Sequence, residues 1–279
     1  MNEAWSEIEW SNFLLPYKQA VEELRLKLML LDQELRARGK HSPIEYIDGR
    51  VKGIGSILSK AKRKGIAREE LADKIEDIAG VRIVCQFVED IELMISLLRQ
   101  RDGYDMHIVE EVDYVTNQKP SGYRSYHMVI LYKLLMADGP KEVFCEIQIR
   151  TLSMNFWATI EHTLKYKYTA SIPKQLQDRL RSSAEAAFRL DTEMSKIRSE
   201  ISQSQKIIQY RDDLVDGVLK DLHNMSELAK TDGGAKNEEV GELMRDFTNV
   251  FESGSIEKLE SFNRRLKAIV QAAYENGEN

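Results

Sequence analysis

Cysteine is scarce in this 279-residue chain: there are two, Cys85 and Cys145, and neither belongs to a CxxC pair or a Cys/His cluster. That excludes a disulfide framework and a thiolate-bound zinc. Both cysteines lie in apolar, strand-like runs and are expected as small core residues in a reducing compartment. No apolar run approaches the roughly 20 residues of a membrane span, so no membrane partner is expected. The N-terminal Met1-Asn2-Glu3-Ala4-Trp5 is acidic where a secretory signal is basic and then apolar, which predicts a cytoplasmic protein. The GxxxxGK[ST] of P-loop proteins is absent. The five histidines are isolated, and no His-Asp dipeptide occurs. Excess positive charge is missing too: the net charge is −6, which argues against bulk electrostatic binding of nucleic acid. The imbalance is local. Residues 201–279 hold 10 basic and 15 acidic side chains, leaving 30 against 31 elsewhere, a near-neutral body with an acidic tail.

What the chain does have centres on Lys141–Arg150. Val143, Cys145, Ile147 and Ile149 alternate with Phe144, Glu146, Gln148 and Arg150, the period of a strand with two unlike faces. One face suits a core. The other sets a carboxylate, an amide and a guanidinium in a row, which strands show either to solvent or to a ligand.

Around it the chain reads as α/β (α+β), a mixed sheet flanked by helices. Residues 5–37 form a long amphipathic helix with Trp10, Leu14, Tyr17, Val21, Leu24 and Leu28 at three- and four-residue steps. The most basic segment, Arg50 to Gly65, starts as a Gly-containing turn and becomes a short helix with Ser56, Lys60 and Arg63 on one face. A core strand entered through Gly80 follows Asp77 and contains Arg82. A crossover helix over 89–101 and a strand over 104–115 come next. A turn over Asn117–Gly122 leads into Tyr123-Arg124-Ser125-Tyr126-His127 and a strand to Leu135. After the central strand a helix spans Met154–Tyr168, and a long helical region begins at Pro173. The tail is helical, breaks at Thr231–Gly234, and ends in a helix striped by Ile256, Leu259, Phe262, Leu266, Ile269 and Ala273. That tail is expected to serve docking or oligomerisation.

The polar pieces suggest one chemistry if they converge. Two carboxylates, Asp77 and Glu146, suit a hard cation such as Mg²⁺ that also takes substrate phosphates. Arg50, Lys52, Lys60, Arg63, Arg82 and Lys119 suit a polyphosphate. Tyr123 beside His127 suits a base. Together they imply Mg²⁺-dependent phosphoryl-type transfer with nucleotides. A solvated basic helix and a packed Tyr–His pair are the ordinary alternatives.

Four motifs in this order carry a resemblance: Arg50-x-Lys52…Ser56…Lys60; Asp77-Ile78-Ala79-Gly80-Val81-Arg82; Lys119 through His127; and Glu146-Ile147-Gln148-Ile149-Arg150-Thr151, followed by Met154–His162. They resemble the synthetase domain of the RelA/SpoT family, nearest the RelQ branch of small alarmone synthetases, over roughly residues 8–200. The resemblance implies transfer of the β,γ-pyrophosphate of ATP to the ribose 3′-hydroxyl of GDP or GTP. The products would be AMP and ppGpp or pppGpp. It implies Asp77 and Glu146 on Mg²⁺, with Glu146 also the general base. Arg50 and Arg82 would flank adenine. Lys52, Ser56, Lys60 and Arg63 would contact the ATP phosphates, Lys60 and Arg63 catalytically. Tyr123 would stack on guanine, with Lys119, His127 and Gln148 on the acceptor. A homotetramer with a regulatory (p)ppGpp cleft is implied, to which Arg25, Tyr46 and Asn155 correspond.

This chain departs from the pattern in places. Val112 stands in Glu110-Glu111-Val112-Asp113 where relatives tend to carry arginine, which removes a phosphate contact. Met29 and Asp48 replace a basic and a small polar cleft residue, and the carboxylate would repel a polyphosphate. With no His-Asp dipeptide, synthesis without hydrolysis is expected. The expected division is a synthetase domain over 1–205 and a helical extension over 206–279. A different acceptor, such as the 3′ end of tRNA, and a regulatory module binding single-stranded RNA are the alternatives.

Overall fold

The computed structural model describes residues 5–167, 173–231 and 235–277. Its elements are α1 (Glu7–Ala37), β1 (Tyr46–Val51), α2 (Ile54–Lys64), α3 (Leu71–Lys74), β2 (Ala79–Cys85), α4 (Val88–Arg99), β3 (Met106–Asp113), β4 (Tyr126–Met136), β5 (Gly139–Thr151), α5 (Leu152–Lys167), α6 (Lys174–Thr231), α7 (Ala235–Glu252) and α8 (Ile256–Gly277). Among the described residues, the strands form one sheet in the order β1-β2-β5-β4-β3. Only β2 and β5 run parallel, so the sheet is mixed, as expected. The chain divides into two compact units, Met1–Lys196 and Ile197–Asn279, a boundary somewhat before residue 205.

In the first unit, α1 starts where Ser6 and Glu9 cap it reciprocally: Glu9 N–H donates to Ser6 Oγ at 3.3 Å, and Ser6 N–H donates to Glu9 Oε2 at 2.7 Å. Its apolar stripe buries Leu24 and Leu28 against the inner residues of the sheet, among them Val81, Ile83, Ile147 and Ile149. Ile91, Met94, Ile95 and Leu98 of α4 join the same core. Cys85 and Cys145 are free and buried there. Burial pushes both thiols up, beyond any thiolate role near neutral pH.

Two elements depart from the sequence reading. The segment expected as a turn at Arg50 is the end of β1. Tyr-Ile-Asp-Gly-Arg-Val carries turn residues at its centre, but pairing with β2 (Asp48 opposite Arg82, Arg50 opposite Gly80) overrides them. Gly49 is there for close approach, since a Cβ would lie 2.6 Å from Arg25 Cδ and Val21 Cγ1 of α1. The other departure is α7, which was not anticipated, although Val240, Leu243 and Phe247 recur at helical steps.

The second unit has its own core of Val218, Leu222, Met225, Val240, Leu243, Phe247, Leu259, Phe262 and Leu266. The centre of the stripe expected to serve docking is thus buried within that unit. Tyr168, residues 232–234 and the side chain of Ala273 lie outside the described residues. No described helix is long and apolar enough to cross a membrane.

Candidate active site

The polar face of β5 and the matching positions of its neighbours lie opposite the core. Register sets them in rows: Arg50, Gly80 and Glu146, then Asp48, Arg82, Gln148, His127 and Val112. Two recesses open on this face. A narrow one of about 310 Å³ is lined by Asp48, Arg50, Asp77, Arg82, Glu146 and Gln148 among others. A wide one of about 1050 Å³ shares Arg50, Arg82 and Gln148 and adds Lys119, Tyr123, Arg150, Glu161 and His162.

Asp77 stands at the mouth of β2. Lys52 N–H donates to Ile78 O at 2.8 Å, carrying the pairing past β1 and bringing the Lys52 side chain to Asp77. Lys52 Nζ lies 2.6 Å from Asp77 Oδ2, and Lys60 Nζ from α2 lies 2.7 Å from Oδ1. Burial pushes the Asp77 carboxyl up, but the two lysines outweigh it and hold the group below its ordinary pKa.

Glu146 is held on both oxygens. His127 Nδ1 lies 2.9 Å from Oε1, and Gln148 Nε2 donates to Oε2 at 2.6 Å. Burial raises its pKa and nearby Asp77 adds to that, yet His127 and Gln148 prevail and the net direction is down. Each oxygen keeps a second lone pair for another ligand. No group of three or more His, Cys, Asp or Glu among the described residues could hold a metal by itself. These two carboxylates are the available anionic donors of the narrow recess besides Asp48, whose Oδ2 lies 3.7 Å from Arg82 Nη1.

The loop before β4 presents an aromatic platform. Tyr123 OH lies 2.8 Å from His127 Nε2, and Lys119 Nζ lies 4.9 Å from the Tyr123 ring centroid and 4.3 Å from that of Tyr114. Gly122, with φ +88, seats the loop: a Cβ there would lie 2.6 Å from Ala184 Cβ on α6.

The structure therefore brings Asp77, Glu146, Lys52, Lys60, Arg50, Arg82, Lys119, Tyr123, His127 and Gln148 to one face. Ser56 and Arg63 are exposed on α2 and line neither recess. Of the residues assigned to a regulatory cleft, Asn155 Nδ2 donates to Tyr46 OH at 2.7 Å. Arg25 packs on Gly49, on the opposite face of β1, so one chain does not assemble all three. Asp48, expected in that cleft, lines both recesses. The sequence reading gave no role to Tyr114 or Arg150. Arg150 was visible as the third polar residue of the β5 face, and its partners were not.

Residues 49–171 match the family model described as the region found in RelA / SpoT proteins. Over 197 residues the chain is 51% identical to GTP pyrophosphokinase YjbM of Bacillus subtilis (strain 168), spanning 71% of this chain and 92% of the relative. The chain belongs to the RelA/SpoT family. Its fold is that of the family's small synthetases. The crystal structure of small alarmone synthetase 1 from Bacillus subtilis bound to its product pppGpp superimposes with a TM-score of 0.66 at 51% identity, over 69% of this chain and 98% of that one. The same enzyme bound to AMPCPP gives a TM-score of 0.61 at 48% identity, over 70% and 98%.

Proposed function

We propose that this RelA/SpoT-family chain is a GTP pyrophosphokinase. It would transfer the β,γ-pyrophosphate of ATP to the 3′-hydroxyl of GDP or GTP and release AMP. The observation that carries this reading is the placement of Asp77 and Glu146 on one recess, between Arg50 and Arg82 on one side and the Tyr123 platform on the other. Arg50 and Arg82 offer planar cations on which adenine stacks. Tyr123 takes the guanine, with Lys119 above its ring. Glu146, held ionised and aimed, accepts the 3′-hydroxyl proton. The ribose oxygen bonds to the β-phosphorus, the bond from that phosphorus to the α,β-bridging oxygen breaks, and AMP leaves with the electron pair. Lys52 and Lys60 hold Asp77 and place positive charge where the phosphates pass. Positioned charge supplies most of the acceleration in such transfers.

The donor set fits Mg²⁺, which takes one or two carboxylates and fills its other positions with water and phosphate. Asp77 and Glu146 would hold it, and when bound it would neutralise charge on the phosphates. A cytoplasmic location, where these nucleotides are, belongs to the same proposal. So does a homotetramer, in which a second copy would supply what Tyr46, Asn155 and Arg25 of one chain do not bring together.

The test is turnover with ATP, Mg²⁺ and either GDP or GTP, products separated by anion exchange, with Glu146→Gln alongside. AMP in equal amount with a more phosphorylated guanosine nucleotide is expected, and the variant should be slower by roughly 10²–10⁴-fold. AMP without that product would reassign the acceptor, with the tRNA 3′ end next to test. No AMP from folded protein would refute an enzymatic role and favour a module binding single-stranded RNA.

A further inference from the structure

Five side chains close a ring of hydrogen bonds around the acceptor platform. Gln148 Nε2 lies 2.6 Å from Glu146 Oε2, and Arg150 Nη2 lies 2.6 Å from Gln148 Oε1. The same Arg150 nitrogen lies 2.5 Å from Tyr123 OH. Tyr123 OH lies 2.8 Å from His127 Nε2, and His127 Nδ1 lies 2.9 Å from Glu146 Oε1. We propose that Arg150 is a positioning residue for the transfer: by donating to both Tyr123 and Gln148 it fastens the acceptor platform to the amide that aims Glu146. The inference rests on the pyrophosphokinase reading for its kinetic consequence, though not for its structural one.

The direction follows from counting protons. A guanidinium only donates, and the two hydrogens on Nη2 go to Tyr123 and Gln148. Gln148 must then offer Oε1 to Arg150, which turns its amide nitrogen to Glu146. Tyr123 receives the Arg150 proton on its oxygen. Glu146 only accepts, so Arg150 and Glu146 hold the Gln148 amide in one orientation from its two ends. A carboxylate at position 150 would draw the Gln148 amide nitrogen away from Glu146, and an amide free to flip would fix neither partner.

Arg150 is itself fixed. Its side chain is 4% exposed, and Nε donates to Ser125 Oγ at 3.2 Å. Its guanidinium carbon stands 5.0 Å from the Tyr123 ring centroid, so it also steadies the platform through its charge. A buried arginine with all these partners in one strand face is costly to place unless each donor is used. Here the donors reach the two groups, Tyr123 and Gln148, that in turn reach Glu146.

The experiment measures steady-state turnover with each nucleotide varied in turn, and GDP binding by calorimetry on the same samples. Arg150→Met should lower kcat at least tenfold, raise the GDP KM, weaken GDP binding and leave the ATP KM unchanged. Arg150→Lys, which reaches one partner at a time, should recover part of kcat. Should Arg150→Met not fold, Tyr123→Phe breaks the ring while leaving Arg150 its bonds to Gln148 and Ser125, and the same loss on the GDP side is expected. Adding Tyr123→Phe to a folded Arg150→Met should cost little more, since both cut one network. Equal losses for both nucleotides, or no loss in either variant, overturn the proposal. If wild type binds GDP more tightly than Arg150→Met but makes no guanosine product, the positioning role stands and the pyrophosphokinase reading falls.

Discussion

Substituting Gly122 by alanine puts a methyl group 2.6 Å from Ala184 Cβ, at a backbone φ of +88. Two costs add. A side chain in the left-handed region costs about 1–2 kcal/mol. Relieving the contact requires the loop or α6 to shift by most of an ångström, and overpacking of that kind costs about 1–3 kcal/mol. Lys119 N–H donates to Tyr123 O at 3.1 Å and Gly122 N–H to Lys119 O at 2.8 Å, so the loop moves as a unit. The cheapest relief is to lift that unit, and with it Lys119 and Tyr123, off α6. Gly122→Ala should therefore raise the KM for GDP roughly tenfold or more, the equivalent of about 1.4 kcal/mol. The KM for ATP should stay where it is, because Arg50, Arg82, Lys52 and Lys60 come from other elements. Steady-state kinetics with each nucleotide varied in turn makes the measurement. Ala184→Gly in the same protein removes the atom struck. The double variant should regain the overlap part of the loss and keep the backbone part. Equal losses in both KM values, or no rescue by Ala184→Gly, would refute the seating argument.

Val112 pairs with His127, on the side of the sheet proposed to take the acceptor; Val112→Arg should add a charge-assisted contact to acceptor phosphate and lower the KM for GTP by about tenfold, read in the same assay. Asp105 ties α1 to the end of α4 by accepting from Lys27 Nζ at 2.8 Å and from Arg101. Burial raises its pKa, but those two partners prevail and the carboxyl sits below its ordinary value. The stability it lends is present above an unfolded pKa near 3.9 and is lost as pH falls through the lower folded value. Urea titrations should thus find Asp105→Asn destabilised by roughly 1 kcal/mol at pH 7, a modest figure because the pair is partly exposed. The difference should shrink below about pH 4. A difference that persists unchanged at pH 3 would point to lost packing in place of lost charge.

Much of the site was legible because its chemistry is local in sequence. The β5 alternation places Glu146, Gln148 and Arg150 on one face whatever surrounds them, since side chains alternate with period two. The motifs around Asp77, Tyr123 and His127 supplied the groups and their order. Beyond a single strand, sequence carries no register. That Gln148 meets Arg82 on one side and His127 on the other follows from pairing of residues far apart in the chain. The same dependence hid β1, whose Asp-Gly centre reads as a turn until β2 and α1 are packed against it. It also hid the division between Arg25 on one face of that strand and Tyr46 on the other.

The sequence by itself determined that this is a mixed α/β domain of the RelA/SpoT family and which polar side chains share the face of β5, because composition, periodicity and four ordered motifs are properties of the chain alone. Only the tertiary structure decided that Arg150 closes a ring through Tyr123, His127, Glu146 and Gln148. Hydrogen bonds have a length and a direction, and both depend on which strands the fold sets side by side.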